Sequence, residues 1–199
     1  MSDHRQFSPL VWQISSSVSM LLDMKDIRPY SLRIATPADA EVIARHRALM
    51  FRDMGAVTQE ESIQIFDASI SWLERLLTAE EYVAWLVQLG DDPVAGAGIH
   101  LREAGPVPGC HRIGRWGHMM NVYTAEAHRR RGLARLLVQE ILQWSAQNHL
   151  DQLTLAASES GRSLYRSLGF IPTEDMRLPR RLLGSMREGN ADPSTVQSA

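Results

Sequence analysis

The chain has 199 residues, which suits one domain with a single sizeable core, since domains commonly hold roughly 100–200 residues. Hydrophobic residues at 44% and charged residues at 22% exclude collagen-like, low-complexity and disordered classes. Its 21 basic and 23 acidic residues give a net charge of −2, which excludes the global basic field of a general nucleic-acid binder and leaves any anion site local.

Cys110 is the one cysteine, so neither an intrachain disulfide nor a thiolate-cluster metal site is available, no metal is expected, and a reducing cytoplasm fits best. No run approaches the ~20 apolar residues of a membrane-spanning helix, so no membrane partner is expected. Residues 1–28 read as an N-terminal extension. The apolar stretch from Leu10 to Leu22 is broken by Gln13 and Ser15 to Ser17, and lacks a basic leader and a clear cleavage site.

From Tyr30 to Ile34 the residues alternate as in a short strand. Thr36, Pro37 and Asp39 then predict a helix start, with Thr36 capping free amides and Asp39 complementing the positive end of the dipole. Val42, Ile43, His46, Leu49 and Met50 make one apolar stripe that Gly55 ends. Thr58 to Glu61 forms a capping box for a second helix, with Ile63, Phe66, Ile70, Leu73 and Leu77 as its stripe.

The period then changes. Tyr82 to Val87 is a run of strand formers, Gly90 to Pro93 a turn, and Val94 to Leu101 the hairpin partner. Residues Arg102 to Gly114 read as loop and Trp116 to Thr124 as the next strand. A long helix follows from Gly132 to His149, with Leu133, Leu137, Ile141 and Trp144 on its buried side. Leu153 to Ala157 is a strand, Gly161 to Leu168 a short helix closed by Gly169, and Met176 to Leu178 a final strand. The order predicts an α+β fold with one β-α-β crossover, whose two strands run parallel. The domain spans residues 29–184, and residues 185–199 form a polar C-terminal tail.

The sharpest local feature is His128 to Ala134, between a predicted strand and the best helix of the chain. Amides at a helix start lack intrahelical partners and point outward with the positive dipole end, so a phosphate can accept several of them. Gly132 removes a side chain where that approach is closest, and Arg129 and Arg131 can add charge-assisted bonds. A dinucleotide fingerprint would need more glycines and a Walker loop would need Gly-Lys-Ser/Thr, so both classes fall away.

Two motifs make the chain resemble the GNAT superfamily of acyl-CoA-dependent N-acetyltransferases. Arg129, Arg130, Arg131, Gly132, Leu133 and Ala134 match the family's Gln/Arg-x-x-Gly-x-Gly/Ala turn, which in relatives binds the coenzyme A pyrophosphate. Leu164-Tyr165 and Gly169-Phe170 match its Leu-Tyr-x-x-x-Gly-Phe signature. The resemblance implies a mixed, mostly antiparallel central sheet flanked by helices, with the crossover forming the acyl-CoA site. It implies that Val122, Tyr123 and Thr124 lie on the strand that pairs with pantetheine, often at a bulge. An amide exposed there stabilises the oxyanion of thioester attack. It implies too that Tyr165 is the general acid for the departing thiolate.

Proton chemistry weighs on the other partner. A thiol with pKa ~8.5 leaves tolerably at neutral pH, whereas an amine near ~10.4 must lose a proton at a cost of about 4–5 kcal/mol. The general base is not evident, and His118, with Asn121 as a polar neighbour, is a candidate. Glu126, Ser158 and Gly161 depart from the family's common Pro, Asn and Ala. Ser158 is kept as a cofactor contact, with a hydroxyl in place of an amide.

The resemblance thus implies transfer of an acetyl group from acetyl-CoA to a primary amine of a small molecule or peptide. No nucleic-acid partner is expected, and a homodimer is compatible with the sequence. The competing reading is a non-catalytic acyl-CoA sensor or partner-binding module.

Overall fold

A computed structural model describes residues 28–178, so residues 1–27 of the N-terminal extension and the whole polar tail lie outside the described residues. The chain divides into two compact units, 1–156 and 157–199.

The first unit is built on a five-stranded sheet in the order β1 (Tyr30–Ile34), β2 (Tyr82–Leu89), β3 (Asp92–Ala104), β4 (Gly114–Thr124) and β5 (Gln152–Leu155). Neighbours are antiparallel except β4 and β5, which are parallel as the crossover predicts. Leu89 pairs with Asp92 across a two-residue turn whose first residue, Gly90, has φ +61, the position such hairpins reserve for glycine.

Helices α1 (Ala40–Asp53) and α2 (Gln59–Thr78) cover one face of the sheet. Ala40, Ile43 and Ala44 of α1 and Leu73, Leu76 and Leu77 of α2 pack there on Tyr82, Ala84 and Leu86. The opposite face carries α3 (Leu133–Gln147), whose Trp144 meets Trp85 edge-on at 5.9 Å. Leu133, Leu137, Val138 and Ile141 of α3 are buried, as its apolar spacing requires.

Local chemistry differs from expectation at three places. At the first, Thr36 and Asp39 form a capping box, but the segment it opens is a 3₁₀ turn and not α1 itself. The Thr36 amide and hydroxyl donate to the Asp39 carboxylate at 2.7 and 3.0 Å, and Asp39 also accepts two bonds from Arg33. Pro37–Asp39 is accordingly a 3₁₀ turn ahead of α1. On α2, Ile63 is 53% exposed, because the buried face runs through Ser62 and Ser69 instead. Ser62 donates to the Ala48 carbonyl at 3.1 Å, so a small polar residue sits at the helix contact.

The third difference lies in the second unit, where no strand forms at Met176 to Leu178. Met176 is 98% exposed, and that stretch has no ladder partner among the described residues to hold it extended. This unit contains a 3₁₀ turn at Glu159–Gly161 and the six-residue helix α4 (Arg162–Ser167). Gly169, at φ +94, ends α4 in the left-handed conformation expected of it.

Candidate active site

Strand β4 carries an irregularity at its centre. Gly96 pairs with Tyr123 and Gly98 with Met120, so Asn121 and Val122 oppose Ala97 alone. Asn121 absorbs the extra residue in a left-handed conformation, φ +58. Such a bulge takes backbone polar groups out of the ladder, and it falls directly before Tyr123 and Thr124. The Asn121 side chain is buried and fixed at both ends: its carbonyl accepts from Arg47 at 2.8 Å, and its amide donates to the Tyr82 hydroxyl at 2.8 Å.

Below the bulge the chain runs through a 3₁₀ turn at Glu126–His128 into the arginine segment. Arg130 at φ +63 and Gly132 at φ +84 turn it into α3. The bond from Leu136 N to Gly132 O, at 3.0 Å, belongs to the first turn of the helix, and the amides of Leu133 and Ala134 come before it. No atom lies within 4 Å of the position a Cβ on Gly132 would take, and the approach to these amides is open.

The three arginines are not equivalent. Arg129 donates to the Thr124 carbonyl at 3.0 Å and to the Asp53 carboxylate, so its side chain braces the loop. Arg131 makes a long contact, 3.4 Å, to the Ala127 carbonyl. Arg130 is exposed.

On the α1/α2 face of the sheet, His118 stands opposite His100, and His100 meets Trp72 of α2 edge-on. His118 Nδ1 lies 2.9 Å from Thr154 Oγ1, which itself donates to the Gly117 carbonyl at 3.4 Å. With Nδ1 engaged by the Thr154 hydroxyl, Nε2 is the ring nitrogen left for proton transfer. Burial, then Arg102, then His100 hold this imidazole below its ordinary pKa, in the neutral form. Asn121 is bonded to Arg47 and Tyr82, so the neighbour that orients His118 is Thr154.

Sequence reasoning did not single out Arg47 or Tyr82. For Arg47 a signal was present: Ile43, Arg47 and Phe51 recur at intervals of four, which puts the arginine in line with a buried position. His46 is buried, with Nε2 donating to the Pro93 carbonyl at 3.1 Å and its ring 5.0 Å from that of Tyr123.

In the second unit the Ser158 hydroxyl accepts from the Gly161 amide at 3.2 Å and lies 3.3 Å from the Ser160 hydroxyl. Tyr165 packs edge-on against Phe170 at 5.9 Å, and burial raises its pKa.

Residues 44–170, more than half of the chain, match the model of the acetyltransferase (GNAT) family. The chain belongs to that family and is an acyltransferase. Among solved structures it is similar to a GCN5-related N-acetyltransferase from Ralstonia eutropha JMP134, with 29% identity, 75% of this chain and 97% of that one covered, and a TM-score of 0.70. A "predicted acetyltransferase with acetyl-CoA" from Clostridium acetobutylicum matches at 24% identity over 78% of this chain and 97% of its own, TM-score 0.70. An aminoglycoside acetyltransferase from an uncultured soil metagenomic sample shares the fold at 19% identity over 75% and 97%, TM-score 0.55. No curated protein matches. None of the described helices is long and apolar enough to cross a membrane.

Proposed function

We propose that the protein is a cytoplasmic N-acetyltransferase that moves an acetyl group from acetyl-CoA to a primary amine of a small molecule or peptide. The observation that carries this reading is the pairing of the β4 bulge at Asn121 and Val122 with the open amino end of α3 behind Gly132. The residues fit the donor. The amides of Leu133 and Ala134 at the helix start and an open glycine are the donor set a diphosphate takes, and a bulged strand suits an extended, amide-bearing arm.

When bound, acetyl-CoA supplies an acetyl thioester. The amides from Leu133 onward hold its phosphates, with Arg130 and Arg131 adding charge, while Arg129 contributes its backbone and holds the loop in shape. Val122, Tyr123 and Thr124 align the pantetheine arm along β4. His118, neutral with Nε2 unoccupied, takes the proton of the incoming amine. Tyr165 and Ser158 enter through the sequence motif: Tyr165 gives its phenolic proton to the sulfur, and the Ser158 hydroxyl is a cofactor contact.

The test combines binding and turnover. Acetyl-CoA should raise the melting temperature, and Gly132→Glu should abolish that rise, because a carboxylate would stand where the phosphates bind. An amine panel read by free-thiol release should then find a turned-over acceptor. Binding without turnover on any amine would leave the acyl-CoA sensor as the better reading; an undiminished shift in Gly132→Glu would overturn the phosphate cradle.

A further inference from the structure

Arg47 is a half-buried cation whose positive charge meets no carboxylate among the described residues. It projects from α1 toward the β4 bulge, where one N–H donates to Asn121 Oδ1 at 2.8 Å. Its guanidinium carbon lies 4.9 Å from the Phe51 ring centre and 5.4 Å from that of Trp72. A guanidinium carries five N–H donors, and Asn121 takes one of them.

Charges are taken out of water at a cost that an opposite charge normally offsets. Here the group that bears electrostatically on Arg47 is the Tyr82 phenol, and among the described residues neither an acid nor a second cation acts on it. Burial holds the guanidinium below the ordinary arginine range. Two aromatic faces stabilise the cation in place without using its N–H donors, which lie in the plane of the guanidinium. Asn121 is fixed with its oxygen toward Arg47, since its amide donates to Tyr82. The arrangement is a preorganised, singly positive fork beside the strand segment assigned to the thioester. Trp72, which flanks it, also touches His100, the cross-strand partner of His118.

We infer that Arg47 reads a carboxylate on the acceptor, so that the amine accepted by this enzyme belongs to a molecule carrying both a primary amine and a carboxylate. One cation without a second beside it matches a monoanion better than a phosphomonoester dianion, and the planar fork matches a carboxylate edge to edge. The inference deepens the acyl-transfer reading and rests on it for the position of the acceptor.

The experiment compares matched probes. Glycine, β-alanine and longer ω-amino carboxylates are assayed by thiol release against straight-chain amines of the same length with a methyl group in place of the carboxylate. Their N-acetylated forms are titrated calorimetrically in the presence of coenzyme A, which reports on the fork without chemistry. The wild type should favour one carboxylate-bearing amine over its neutral match by about 10- to 100-fold in kcat/KM. Arg47→Gln should erase that preference, mainly through KM, and Arg47→Lys should restore part of it while acetyl-CoA still raises the melting temperature of both. Equal use of the neutral and carboxylate members by the wild type would overturn the inference even if neither variant folds. An undiminished preference in a folded Arg47→Gln would overturn it too. If no amine is turned over, acyl transfer fails as a reading, and calorimetry alone decides the fork: selective binding of the carboxylate product supports it and its absence refutes it.

Discussion

Arg129, the first residue of the arginine segment, pairs with Asp53, the last residue of α1. The pair ties the loop that leads into α3 to a helix on the other face of the sheet. Its Arg129 side chain is 42% exposed and its Asp53 side chain 25%, so the contact contributes little to global stability, ~0.2–1 kcal/mol. What it holds is the shape of the loop. Arg129 also bonds the Thr124 carbonyl, so one guanidinium connects the end of β4, the end of α1 and the turn before Gly132.

Asp53→Asn should therefore leave the melting temperature within about 2 °C of the wild type and raise the acetyl-CoA dissociation constant about two- to fivefold, since at most ~1 kcal/mol of loop order is lost. Calorimetric titration decides it. An unchanged constant would mean that the loop keeps its shape without the pair.

A second prediction concerns the support under Asn121. A Cβ on Gly98 would fall 2.3 Å from both Cζ and the hydroxyl oxygen of Tyr82, a side chain that is itself buried. Gly98→Ala must push that ring away, and the ring carries the hydroxyl that holds Asn121. Overpacking of this kind costs about 2–3 kcal/mol, or roughly 5–10 °C in melting temperature for a domain of this size. The carboxylate preference assigned to Arg47 should weaken with it. A variant as stable as the wild type would show that Tyr82 has room to move.

These relationships show what the sequence made legible. Periodicity revealed the helices, the hairpin and the crossover, because each depends on residues a few positions apart. The arginine turn was legible for the same reason. The Arg47–Asn121–Tyr82 chain was not, since its members are 74 and 39 positions apart and meet only when α1 lies on the sheet. Asp39 was legible only in part for a related reason. Its place in a first helical turn suggested a dipole effect, whereas Arg33, on the preceding strand, claims its carboxylate with two bonds.

Acid should weaken the fold by a route that includes His46. Desolvation by burial, the largest cause, holds its pKa below the ordinary value, and its Nδ1 is buried without a partner. The unfolded chain takes up a proton near pH ~6.5 while the folded chain resists until lower pH. The unfolded state therefore binds more protons below that point, and stability falls as pH drops from about 7 toward 5. Above pH ~7 neither state is charged at this residue and it adds no slope. His118 acts in the same direction. Asp39, held at about 2 by its bonds to Arg33, adds a further loss as pH falls through its ordinary range toward that value. Melting temperatures measured from pH 8 to pH 5 should decline more steeply for the wild type than for His46→Gln, and parallel curves would remove His46 from the account.

The role assigned to Tyr165 separates proton transfer from packing. Burial raises its pKa, so the phenol remains protonated through neutral pH and can act as a donor. Its ring fills space within its own unit, since a Cβ on Gly161 would lie 2.9 Å from Tyr165 Cε2. Tyr165→Phe keeps that ring and deletes only the hydroxyl that carries the proton. Turnover should fall about 100-fold, the low end of the general-acid range, because a thiol is already a fair leaving group. The KM for acetyl-CoA and the melting temperature should change little, and the pH profile of kcat should lose its alkaline limb. Turnover equal to the wild type would leave Tyr165 as a packing residue and pass the proton to water or another donor.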